Sequence, residues 1–361
     1  MNRRWMLLTV LALAHCATAM AQAPATAEQA LPPTLTGLVA AAEKEGALNV
    51  VWGESLLGDN VAAQRYANMF NKRFGTHIVF SFAPGMEVAR LGNQLFTEWQ
   101  AGQPASSDLF AGSAPQMLPL VKRDALLPIP WADYLPGRIA ADMVEGGGRA
   151  LRMQTPLSGI TYNTDLVPSP PTSLEDFLKP EWKGKVATTP YAAGFDVLAA
   201  KDLWGPERTL AYATKLSSQV AGLVRCGDVE RIATGEFQAL VMDCIGNVTQ
   251  VWKGNGAPVA YVIVRDAAQR RFSYVSVPRN ARHPAAAALF GVFLLTPEAQ
   301  ALMWDAIKID LDEFKESHVA KLVADMQASG VKFTDVSIDW WGRHPEVDET
   351  KAAMIKILTS K

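Results

Sequence analysis

Apolar and polar positions alternate along this chain in two rhythms. Leu35, Leu38, Val39 and Ala42 share one helical face, and Glu43-Lys44-Glu45-Gly46 closes that helix. Residues 48–51 form a short apolar run that predicts a strand, ending at Trp52-Gly53-Glu54-Ser55. A helix over 60–74 stops at Gly75, and a strand over 77–82 follows. Residues 85–100 carry Val88, Leu91, Leu95 and Trp99 on one stripe and predict a helix. A third strand over 107–111 runs into the small-residue turn Gly112-Ser113. The next helix, 117–126, is ended by Pro128 and Pro130. This alternation predicts an α/β protein built on open sheets flanked by helices.

The later chain keeps the rhythm. Gly146-Gly147-Gly148 is a flexible connection, and 151–163 (LRMQTPLSGITYN) reads as extended. After a Pro-rich turn at 165–171 come a segment at 174–178 and a strand at 186–189. Tyr191-Ala192-Ala193-Gly194 then leads into a helix, a candidate ligand loop at a helix N-terminus. A helix over 206–216 precedes the most informative stretch, 225–247. There Val229, Ile232 and Ala233 share a helical face, with Asp228 as its expected N-cap and Gly235 in the left-handed position after it. Residues 237–242 are almost unbroken apolar, as in a strand covered on both faces. Ligands of open parallel sheets bind at the carboxyl ends of strands, which points to Arg225-Cys226 and Asp243-Cys244. Strands at 258–264 and 272–277 are followed by a helix opening at His283-Pro284, and 312–329 and 348–358 read as helical.

Five phrases in this order carry a resemblance: AAEKEGALNVVW at 41–52, GITYN at 159–163, EWKGKVA at 181–187, VERIATGEFQALVMD at 229–243 and LFGVFLLTPEAQALMW at 289–304. Together the chain from 36 to 304 resembles the bacterial periplasmic solute-binding proteins. These are type II, two-lobed receptors of ABC importers, and the likeness is to the subgroup that includes the ferric-ion receptors. The resemblance implies two α/β lobes joined by crossing hinge strands near Ser158 and Val264. The first lobe would comprise 35–157 and 263–361 with its C-terminal helices, and the second 158–262. It also implies hinge closure on a small solute, delivery to an ABC permease in the inner membrane, and a monomeric receptor.

Composition fits that class. The 361 residues predict about two domains. Hydrophobic content of 49% and charged content of 19% are those of an ordinary globular protein. The first 21 residues read as a signal peptide: Arg3-Arg4, an apolar run over 6–14, and a cleavage site at Ala19-Met20-Ala21, leaving Gln22 first. Lipidation at Cys16 is the competing reading, with His15 standing where a small residue is expected. Residues 22–34 are an Ala- and Pro-rich tail, expected to be mobile. The formal charge is −2, and the leader holds two cations and no acid, so the mature chain is more acidic still. That argues against nucleic acid as a partner. A periplasmic location is oxidising. Cys226 and Cys244 then remain, 18 residues apart at the ends of two strands. If those strands are neighbours, their spacing of about 4.8 Å is compatible with a disulfide; two buried thiols are the alternative.

No nucleophile elbow, phosphate loop, zinc-protease or dinucleotide motif occurs. His77, His283, His318 and His344 lie near no cluster with metal-ligand spacing. The expectation is therefore a binding protein, with no enzymatic activity, cofactor or metal. The candidate ligand-binding residues are Trp52, Gly53, Glu54, Ser55, Gly112, Ser113, Ser158, Gly159, Tyr191, Asp228 and Asp243, small or polar groups at strand-to-helix turns. In the ferric-ion receptors an adjacent Tyr-Tyr pair follows the strand that ends here at Asp243. Ile245-Gly246 occupies the matching place, and the adjacent aromatic pair Trp340-Trp341 offers no metal ligand. An organic solute is thus favoured over iron, with a ferric-ion receptor and a secreted enzyme as alternatives. Glu54, Asp228 and Asp243 with Trp52 and Tyr191 suit a cationic solute. Arg225 and the helix N-termini suit an anion, and the residues leave the charge open.

Overall fold

Runs of two to six residues, most of them apolar, form the strands. In chain order these are β1 (Ala47–Trp52), β2 (Val79–Pro84), β3 (Phe110–Ser113), β4 (Val144–Glu145), β5 (Ala150–Gln154), β6 (Gly159–Asn163), β7 (Val186–Thr188), β8 (Val220–Leu223), β9 (Ala239–Asp243), β10 (Val259–Val262), β11 (Gln269–Arg271), β12 (Ser273–Ser276) and β13 (Thr334–Val336). They belong to a computed structural model that describes residues 30–85 and 87–360. The expected leader with its expected cleavage after Ala21, the Cys16 alternative and most of the 22–34 segment lie outside the described residues.

The strands sort into two lobes, as expected for the α/β fold. In the first, β1 and β2 pair in parallel, and a parallel bridge from Val50 to Leu109 brings them beside the sheet β3-β12-β5-β4. The second lobe is the sheet β10-β6-β9-β7-β8. There β7 runs parallel to β8 and β9, while β6 is antiparallel to β9 and β10. All five residues of β9 are buried. Ala239 and Val241 pack on one face with Phe195, Tyr212 and Leu216, and Leu240 packs on the other with Ile232 and Phe237. Successive strand side chains point to opposite faces, so two covered faces require the continuous apolar run seen in the sequence. The first lobe is anchored by the Pro284–Leu294 helix, buried at every residue from 285 to 294. A helix that is apolar all round belongs in a core.

Two segments cross between the lobes, 155–158 after β5 and 263–272 after β10, and an antiparallel bridge from Leu157 to Arg270 ties them together. Arg270 pairs with Asp312 at 2.9 Å and with Asp335. Asp312 in turn accepts from the Thr155 hydroxyl at 2.5 Å. A third connection lies near the C-terminus. Trp340 and Trp341 sit in a first-lobe core cluster with Phe110 and Tyr274. The following Pro345–Thr359 helix packs Met354 and Leu358 into the second-lobe core.

Some element boundaries differ from expectation, for local reasons. The strand expected at 107–111 begins at Phe110, because the Ser107 and Asp108 side chains are committed to the N–H groups of Val51 and Asn49 in β1. The helix expected from 312 begins at His318. Ser317 caps it, and the buried Asp310 accepts from the N–H groups of His318 and Val319. The helix expected after Gly194 is only a 3-10 turn, Asp196–Ala199.

Asp196 is fully buried in that turn and takes Arg271 at 3.1 Å and Lys351 at 2.9 Å. Burial alone would raise its carboxyl, but the two cations outweigh that and hold it below the usual range. The cluster joins the second lobe, a crossing segment and the C-terminal helix. Arg271→Met leaves the buried charge with one cation and is expected to cost about 3 kcal/mol, read as a lower urea midpoint; an unchanged midpoint would show that the cluster does not stabilise the fold.

Candidate functional site

The end of β9 is where the second lobe departs from regular geometry. Gly159 of β6 faces Asp243 and Thr161 faces Leu240, so Val241 and Met242 together oppose Ile160. That is a bulge, and Met242 takes a left-handed φ of 57°. Bulges bend a strand and re-aim the residues beyond it. Here the bend turns Asp243 inward, where it is fully buried. Its carboxylate accepts from the Thr161 hydroxyl at 2.8 Å, from the Gly227 N–H at 3.1 Å, and from the N–H groups of Cys244 and Ile245. Burial nevertheless pushes its pKa up to about 6.

The loop that Asp243 holds carries the disulfide. Cys226 and Cys244 are bonded, with their Cα atoms 5.5 Å apart. The condition set for this pairing in the sequence, neighbouring strands, is not met: β7 lies between β8 and β9. The bridge forms because the chain beyond β8 turns across the end of β7. The Val224 N–H donates to the Thr188 carbonyl, and Gly227 with φ 75° makes the turn back. Asp228 is not an N-cap. The helix is only Glu230–Ala233, it starts from Val229, and no side chain caps it. Gly235 does take the expected left-handed conformation, at φ 79°.

The other candidates divide by surroundings. Trp52 is a core residue, 2% exposed. Its indole N–H donates to the Gly58 carbonyl at 2.9 Å, and its ring contacts Tyr66, Phe82 and Phe290. It therefore presents no aromatic face to a solute. Gly112 is packed too, since a Cβ there would come within 3.0 Å of Val88. Ser113 caps the Ala114–Lys122 helix with Gln116. Gly53 precedes the short Glu54–Leu57 helix, which contains Ser55, and Glu54 is exposed. Tyr191 is exposed and Asp228 half-buried. No hydrogen bond or ion pair joins Glu54, Tyr191 and Asp228 to one another. Ser158 and Gly159, by contrast, meet the β9 end. The Ser158 hydroxyl donates to the Cys244 carbonyl at 3.0 Å. A Cβ on Gly159 would lie 2.5 Å from the Val262 carbonyl oxygen and 2.9 Å from the Tyr261 ring. Only glycine lets the two crossing strands start this close.

Just past the disulfide lies a pocket of about 150 Å³ that sequence reasoning did not assemble. The second lobe contributes Asn247 and Tyr261, and the first crossing segment contributes Leu157. Trp304, Lys308 and His318 come from the other side. The Tyr261 hydroxyl donates to the Leu157 carbonyl at 2.6 Å. The Trp304 and His318 rings stack 4.0 Å apart, and His318 Nδ1 lies 3.1 Å from Asp310. Asn247 is 7% exposed, and its Oδ1 has no hydrogen-bond partner. One signal for this pocket was available: Ile245-Gly246-Asn247 directly follows the β9 end. Nothing local connects it with residues 304–318. Among the described residues no three His, Cys, Asp or Glu side chains are grouped so as to hold a metal ion.

The Asp243 carboxyl gives a pH prediction. Its folded pKa of about 6 exceeds the ordinary aspartate value of about 3.9, so folding favours its protonated form. The resulting stability is fully present below about pH 4 and is lost as pH rises through about 6. Asp243→Asn keeps a hydrogen bond to Thr161 and removes the titration. The variant is expected to lose this pH dependence, so that its stability changes less than that of the wild type between pH 4 and 8. Melting temperatures from pH 4 to 8 check it, and parallel curves for wild type and variant would contradict it.

Over residues 65–309 the chain matches the family model described as bacterial extracellular solute-binding protein. A comparison with curated proteins gives no match. Solved structures with the same fold include the substrate-binding protein of an ABC transporter from Agrobacterium tumefaciens, at TM-score 0.69 and 16% identity over 86% of this chain and 94% of that one. AgtB of A. tumefaciens R10, solved with agropinic acid, aligns at TM-score 0.66 and 18% identity over 87% of this chain and 98% of its own. Iron-bound HitA from Pseudomonas aeruginosa aligns at TM-score 0.66 and 14% identity over 86% and 99%. At these identities the likeness is one of fold.

Proposed function

Because the chain belongs to the bacterial extracellular solute-binding protein family, we propose that it captures a small organic solute between its lobes in the periplasm and delivers it to the permease of an ABC importer. The observation that carries this reading is the pocket beyond β9, which both lobes and the first crossing segment line. A solute there touches both lobes at once. It therefore favours the arrangement in which they are close, and the shift equals its difference in affinity for the two states. Residues 158–262 form the second lobe in this reading. The rest of 35–361 forms the first, with the last helix lying against the second.

The bridged segments at 157 and 270 are the natural hinge, since all other described strands stay within one lobe's pairing or at its edge. Ser158, Gly159 and Asp243 act by fixing residues 243–247, not by touching the solute. A receptor of micromolar affinity needs about 8 kcal/mol of binding free energy, within reach of a few charge-assisted hydrogen bonds and one buried apolar body. The pocket offers no phenolate pair or carboxylate cluster for a ferric ion, which favours the organic solute.

Native mass spectrometry of the mature protein, purified from periplasm without denaturation, tests the reading. The expected result is one organic molecule per chain, released unchanged on unfolding. A bound ferric ion, or a ligand converted into a different product on incubation, would contradict it.

A further inference from the structure

We infer that Tyr261 is the positioning residue that couples the solute to the hinge: its ring walls the pocket, and its hydroxyl sets the first crossing segment. This deepens the receptor reading and rests on it.

Gly246 shows how closely the ring is seated. Its φ is −69°, on the side open to every L-residue, so the backbone does not call for glycine there. Space does. A Cβ on Gly246 would stand 2.4 Å from Cγ and Cδ1 and 2.5 Å from Cδ2 of Tyr261, where carbon atoms settle at about 3.5–4.0 Å. Its three nearest neighbours all belong to that one ring. The far end of the ring is held as closely. A Cβ on Gly159 would come 2.9 Å from Cζ and from the hydroxyl oxygen. Gly159 opens β6 and Gly246 lies just beyond β9, so two separate strand ends leave room for the same side chain.

The hydroxyl joins parts of the chain that a hinge must coordinate. It donates to the Leu157 carbonyl at 2.6 Å and accepts from the Gly246 N–H. Burial, and after it the charge of Asp243, pushes the phenol well above its ordinary pKa, so the donated proton stays on the oxygen. Leu157 is the residue that bridges to Arg270 in the other crossing segment. Tyr261 itself stands in β10, directly ahead of that segment. Its ring packs against the apolar cluster at the crossing, which contains Leu157, Ile263, Ala268 and Val319.

The bond ties residue 157 to the second lobe. Rotation is thereby confined to Thr155 and Pro156 on one side and to the chain beyond Val262 on the other. The same ring lines the pocket. A solute resting on it holds Tyr261 in place and favours the lobe arrangement in which Leu157 keeps its hydrogen bond. Without the hydroxyl, the Leu157 carbonyl loses this donor and the pivot spreads.

The test uses the full mature chain, as wild type and as Tyr261→Phe, with spin labels at Gln64 and Lys215. Double electron–electron resonance on the emptied proteins is expected to give a wider distance distribution in Tyr261→Phe, while its thermal unfolding stays a single transition. Native mass spectra of both proteins, purified from periplasm and dialysed, read the fraction of chains that still carry a small molecule. That fraction is expected to fall about threefold in the variant, as for the loss of one hydrogen bond. Gly246→Ala is expected to lower the melting temperature in wild type but not in a Tyr261→Leu background, where the ring is gone. Equal distance distributions and equal occupancy in wild type and Tyr261→Phe overturn the coupling while the receptor reading stands. Gly246→Ala effects that are the same in both backgrounds overturn the seating of the ring. A wild type that carries a ferric ion overturns the receptor reading, and the coupling with it.

Discussion

Everything distinctive about the second lobe depends on one buried carboxylate. Asp243 ends the central strand of its sheet, and a bulge with a left-handed methionine turns it inward. Its oxygens collect the Thr161 hydroxyl and three backbone N–H groups from two separate loops. The Cys226–Cys244 bond closes the same junction covalently. Burying an aspartate costs free energy, as its raised pKa shows, and strained backbone persists only where surrounding structure over-determines it. What the junction provides is a fixed starting point for Ile245, Gly246 and Asn247, the residues that face the other lobe.

The crossing segments supply the complementary property, a place where the lobes can turn. They touch each other at Leu157 and Arg270, and their polar groups are satisfied by Thr155, Asp312 and Asp335. Gly159 lets the strands begin side by side. The C-terminal helix adds a second tie between the halves through Lys351 and the buried Asp196. A receptor needs both stiffness near the solute and freedom at the hinge. In the proposed receptor the first would come from the β9 junction and the second from the two crossing segments bridged at Leu157 and Arg270.

Much of this was legible in the sequence where the signals are local. The apolar run of β9, the left-handed Gly235 and the small residues at Ser158-Gly159 each follow from short-range chemistry. Trp52 was legible too, but was misread as a cleft residue. It shares the period of Leu48 and Val50, and all three are buried on one face of β1. Asp228 failed as a cap because the turn at Gly227 consumed the residues that would have opened the helix. The disulfide's geometry was hidden because strand order is a property of the whole sheet. The pocket was hidden for the same reason: Asn247, Trp304 and His318 become neighbours only when the two lobes and the first crossing are in place.

The central claim is that a solute between the lobes draws them together about the 157–270 bridge. The most direct measurement is the distance between spin labels at Gln64 in the first lobe and Lys215 in the second, both exposed helix positions. Double electron–electron resonance would be recorded on the emptied protein and again with the solute that co-purifies with it. The account predicts a broad or longer distribution that narrows and shortens when the solute is added. A distribution that is the same with and without saturating solute would contradict it.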